Sequence, residues 1–61
     1  MTAADPSTPD ERRQAAADLT ARAERFSELA DVAELMGDEA TASRLRRDGA
    51  RCRERAMALL D

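Results

Sequence analysis

The chain contains no His, Trp, Tyr, Lys or Ile, one Cys, one Phe, and two residues each of Gly and Pro. Each shortage removes a class of function. Without imidazole and with a single thiol, one chain can assemble neither a His/Cys metal set nor an internal disulfide. A nucleophilic Cys would lack the neighbouring base it needs. No run of 18 apolar residues is present, so no segment reads as a membrane span. Residues 1–9 lack the positive start and apolar stretch of a secretory leader. The expectation is a cytoplasmic, non-enzymatic protein with no metal, no cofactor, no small-molecule ligand and no membrane contact.

What is present is small and charged. Of 61 residues, 43% are apolar, but 14 of those are Ala. Beyond Met1 only ten are large: six Leu, Val32, Phe26, Met36 and Met57. A single core of that size supplies roughly 3–5 kcal/mol at most. All ten basic residues are Arg, a usage that resembles GC-rich bacterial coding, and the net charge is −3. That balance gives no global attraction to nucleic acid or anionic lipid.

The chain order predicts an all-α fold. Residues 1–8, with Pro6 and no periodicity, read as a flexible tail, and 9–61 as one domain. Thr8-Pro9-Asp10-Glu11 spells a helix start, with a capping hydroxyl, Pro at the first helical position and a capping-box Glu. No Gly or Pro follows until Gly37. Gly37-Asp38 is the one turn signal, Gly for a left-handed helix end and Asp to cap the next helix. The reading is an antiparallel two-helix hairpin: helix about 9–36, turn Gly37-Asp38, helix about 39–60.

The two helices agree with each other. Ala16, Leu19, Ala23, Phe26, Ala30 and Ala33 form a heptad seam on the first. Ala42, Leu45, Gly49, Cys52, Ala56 and Leu59 form one on the second. A tight turn pairs Ala16 with Leu59, Leu19 with Ala56, Ala23 with Cys52, Phe26 with Gly49, Ala30 with Leu45 and Ala33 with Ala42. Nearly every rung sets large against small, which lets helices approach closely without a void. Opposite Phe26, Gly49 is expected to leave room for the ring, and Cys52 to act as a small buried hydrophobe.

Phe26, Leu29 and Ala30, the Gly37-Asp38 turn, and Ala42 with Gly49 resemble a tetratricopeptide repeat over roughly residues 23–54, in one copy. Ala33 and Arg46 depart from that pattern where aromatics are usual, and Glu54 replaces its closing Pro. The resemblance implies a helical protein-binding module without catalysis or cofactor.

Two surface features suggest contacts. Arg44, Arg46, Arg47, Arg51, Arg53 and Arg55, against Asp48 and Glu54, place +4 within twelve residues. Arg46 and Arg53 flank one side of the seam, Arg44, Arg51 and Arg55 the other, and Arg47 faces away. The first helix carries seven acids and four Arg, so the expectation is an acidic helix matched to a basic one. Arg44, Arg47, Arg51 and Arg55 are the candidates for contacting an acidic partner or phosphates. No aromatic interleaves them, which disfavours single-stranded nucleic acid.

Leu29, Val32, Leu35, Met36, Met57 and Leu60 lie off the seam and form the candidate interaction surface. A hairpin gives each helix one neighbour, so these side chains call for another surface. The reading is a protein–protein interaction module, adaptor or regulatory. It would act as a homodimer, closing a four-helix bundle, or with another protein in a larger complex. The alternatives are a nucleic-acid-associated accessory protein using the Arg face of the second helix, or an acidic antitoxin- or inhibitor-like partner acting through the first.

Overall fold

The computed structural model describes residues 8–61 and consists of two helices packed antiparallel, α1 (Pro9–Leu35) and α2 (Glu39–Leu60). No strand occurs among the described residues. Both helices start and stop within a residue of the sequence expectation. The tail expected over 1–8 lies, apart from Thr8, outside the described residues.

The ends are set by local chemistry. The Glu11 backbone N–H donates to Thr8 Oγ1 at 3.1 Å, with Pro9 at the first helical position. Glu11 closes the motif by accepting from the Thr8 hydroxyl at 2.8 Å, in place of the backbone N–H that a standard capping box engages. At the other end of α1 the Asp38 N–H donates to the Ala33 carbonyl at 2.8 Å, and Gly37 N–H to that of Glu34 at 3.0 Å. This is a Schellman motif, and Gly37 supplies its left-handed residue at φ 81°. Asp38 then caps α2, accepting from the Thr41 N–H at 3.1 Å and from its hydroxyl at 2.6 Å. One residue thus ends the first helix and begins the second.

The interior is built of small side chains. Ala16, Ala23, Ala30 and Ala33 of α1 are buried, and so are Ala42, Gly49, Cys52 and Ala56 of α2. Ala30, Ala33 and Ala42 form a cluster with Leu45 packed on it, in agreement with the rungs the spacing predicts. Among the described residues no large side chain is fully buried.

Gly49 has a different role from the expected one. A methyl placed there would meet Phe26 Cβ at 3.4 Å and the Ala23 carbonyl at 3.5 Å. The nearest neighbours are the root of Phe26 and the α1 backbone, and the Phe26 side chain stays only half-buried. A methyl would fit there in ordinary contact, so the position calls for a small residue and not for glycine in particular. Gly49 does not open a slot for the ring.

Two outcomes follow from this geometry. Those distances are ordinary van der Waals contact, so Gly49→Ala should gain the helix-propensity difference of about 1 kcal/mol. In a domain this size that raises the thermal midpoint by ~4–8 °C. Gly49→Leu should cost ~1–3 kcal/mol through overpacking. Circular dichroism melts decide it, and a destabilised Gly49→Ala or a neutral Gly49→Leu contradicts the register.

The second outcome concerns pH. Hydrogen bonds from the Thr41 hydroxyl and backbone N–H, helped by Arg44, hold the Asp38 carboxyl below its ordinary value. A depressed carboxyl stabilises fully above its unfolded pKa of about 3.9, and that contribution is lost as pH falls through the lower folded value. Between about pH 4 and pH 2 the parent should therefore lose more thermal stability than Asp38→Asn, which keeps a capping oxygen but cannot titrate. Parallel losses in the two proteins would show that the charge contributes nothing.

Candidate interaction surface

The heptad seam is not uniform. One of its positions is small throughout, with Ala16, Ala23 and Ala30 on α1 and Ala42, Gly49 and Ala56 on α2, all buried. The other holds Leu19 and Phe26 on α1 and Leu45 and Leu59 on α2, all half-buried, together with the smaller Ala33 and Cys52. The large side chains are covered only in part and lean to one flank of the alanine line, with Leu45 still packed on the Ala30, Ala33 and Ala42 cluster.

Which flank follows from the cross-helix bonds. At about 100° per residue, Ser27, Asp31 and Glu34 lie to one side of the alanine line on α1, and Arg46 and Arg53 to the matching side of α2. Arg46 bonds Asp31 at 3.4 Å and also pairs with Glu34, while Arg53 Nη2 donates to Ser27 Oγ at 3.2 Å. These contacts close one face of the hairpin with polar groups. Leu19, Phe26, Leu45 and Leu59 lie on the opposite face, and Leu29 extends it. There Phe26 and Leu29 line a shallow depression with Asp18, Ala21, Arg22 and Arg25.

The expected charge matching holds for part of the cluster only. Arg46 pairs with two acids of α1, whereas Arg53 reaches only the Ser27 hydroxyl. Among the described residues no carboxylate forms an ion pair with Arg44, Arg47, Arg51 or Arg55. The reason is angular: Asp31 and Glu34 lie on the flank that faces Arg46, whereas Arg44, Arg51 and Arg55 border the α2 edge of the open apolar face, across from Glu11 and Asp18 on its α1 edge. Arg47 points away from α1.

All six residues of the candidate surface are exposed: Leu29, Val32, Leu35, Met36, Met57 and Leu60, from 52% for Val32 to 88% for Leu35. They do not form one patch. Leu29, Val32 and Met36 share a stripe on α1 near the turn, with Leu35 beside it. Met57 and Leu60 lie on the closed flank of α2 near the open end. The separation along the hairpin is about 20 Å, from the helical rise.

Leu19, Phe26, Leu45 and Leu59, assigned by spacing to the seam, are half-buried there, Leu45 packing on the alanine cluster, so each leaves part of its side chain on the open face. The run of Ala and Gly at a single heptad position was the available signal.

Among the described residues no group of His, Cys, Asp and Glu could hold a metal ion, and no helix is long and apolar enough to cross a membrane. Cys52 is free and buried. Its thiol should be alkylated by iodoacetamide at least tenfold more slowly in the native protein than in denaturant, because access is limited. Equal rates would mean that the seam opens readily at its middle. No protein-family model, curated protein or solved structure matches this chain.

Proposed function

We propose that the chain is a non-enzymatic protein–protein interaction module, adaptor or regulatory in role, acting as a homo-oligomer or within a larger complex. One observation carries the reading. None of the ten large apolar side chains beyond Met1 is fully buried, so the hairpin's main apolar surface is left for a partner. A second copy is the simplest source of cover and would close a four-helix bundle. A tetratricopeptide-like role fits the same reading, because such hairpins bury their outer faces by stacking. An aqueous, reducing compartment such as the cytoplasm suits a chain with one free thiol.

The Arg residues left without α1 partners favour a second reading, contact with an acidic protein or with phosphates. The net charge of −3 and the lack of aromatics beside the Arg row weigh against nucleic acid.

Light scattering and circular dichroism across a dilution series test the proposal. The expected result is either a mass above the 6.7 kDa of the monomer, or a monomer whose helicity is incomplete. Leu35→Glu, at the most exposed apolar position, removes little from the lone hairpin, so a fall in assembly size on that change reports an interface. A parent that stays monomeric and fully helical at every concentration would contradict the reading.

A further inference from the structure

We infer that the open face takes one amphipathic helix from another protein, apolar along one side and acidic along the edge beside α2. The inference rests on the interaction role proposed above and specifies the chemistry of the partner. Three features support it.

The first is shape. Two helices packed side by side leave a groove along each side of their line of contact, and the trough on the open face is bordered by the half-buried Leu19, Phe26, Leu45 and Leu59. A third helix laid along the trough covers all four, with Leu29 at its margin, in the manner of helix-in-groove recognition.

The second is charge. Arg44, Arg51 and Arg55 run along the α2 edge of the trough at spacings of seven and four, over about 16 Å or three helical turns. All three are exposed, and none forms an ion pair among the described residues. Two acids, Asp48 and Glu54, lie within the same stretch, and Arg44 also faces the Asp38 carboxyl. Acidic side chains on the edge of an incoming helix would meet this row.

The third is the poor fit of a second copy. Placed face to face with both turns at one end, a copy sets its α1 edge against the Arg row. That edge offers Glu11 and Asp18 but also Arg22 and Arg25, so it has no net acid. With the turns at opposite ends, the two Arg rows face each other. The chain's acidic flank is on the wrong side of the hairpin, with Asp31 and Glu34 already engaged by Arg46. A copy that presented that flank would make a head-to-tail contact, which does not close on two molecules.

Two synthetic 21-residue helices test this, each with Leu at heptad seam positions, one with Glu and the other with Lys at the flanking positions. Fluorescence anisotropy at about 0.1 M salt should show the Glu helix binding at least tenfold more tightly. The triple variant Arg44→Glu, Arg51→Glu, Arg55→Glu, its helicity checked by circular dichroism, should reverse the order. Arg47→Glu should leave it unchanged. Equal affinities, or an unreversed order in the triple variant, overturn the inference. A tight dimer that excludes both peptides overturns it too, while leaving the interaction role standing. A stable, fully helical monomer that binds neither peptide removes both.

Discussion

The close approach of α1 and α2 along their alanine line determines the rest of the molecule. With Ala16, Ala23 and Ala30 against Ala42, Gly49 and Ala56, no side chain larger than a methyl separates the helices at that heptad position. Dispersion contacts are dense there, but each buried methyl contributes only about 0.8 kcal/mol of transfer free energy. The large seam residues that would contribute more, Leu19, Phe26, Leu45 and Leu59, are only half-buried. A hairpin built this way has a well-defined register and a thin core. Its apolar face stays partly open.

The caps compensate in part. A helical hairpin with little core depends on its termini, and both helix starts here are capped by side chains, with a Schellman motif between them. The turn leaves little freedom in how α2 leaves α1, since Gly37 ends α1 and Asp38 serves both helix ends. Arg46 bridging to Asp31 and Glu34 adds orientation more than stability, because exposed ion pairs contribute at most about 1 kcal/mol.

Most of the fold was legible because it is local. Thr8-Pro9, Gly37-Asp38 and the alternation of large and small residues each have one structural solution, and together they fix helix bounds and register. The open face was less legible. Periodicity places Leu19, Phe26, Leu45 and Leu59 on the seam, yet it does not say how far apart the helix axes are. That distance decides whether a seam residue is interior or surface. The Arg cluster posed the same problem: composition suggests a basic helix against an acidic one, but only the angular positions of Arg46 and Arg53 make them partners of α1. The identity of a covering partner leaves no trace in local sequence, because the complementary residues belong to another chain.

The central claim is that this hairpin alone is marginal because its large side chains are at most half-buried. Native-state amide hydrogen exchange on the isolated chain at micromolar concentration tests that most directly. Protection factors of about 10²–10⁴ are expected at the best-protected seam amides, such as Ala23 and Ala30, in line with an opening free energy of ~3–5 kcal/mol. Protection of about 10⁶ or more in a monomeric sample would show that the alanine seam suffices by itself, and would contradict the account.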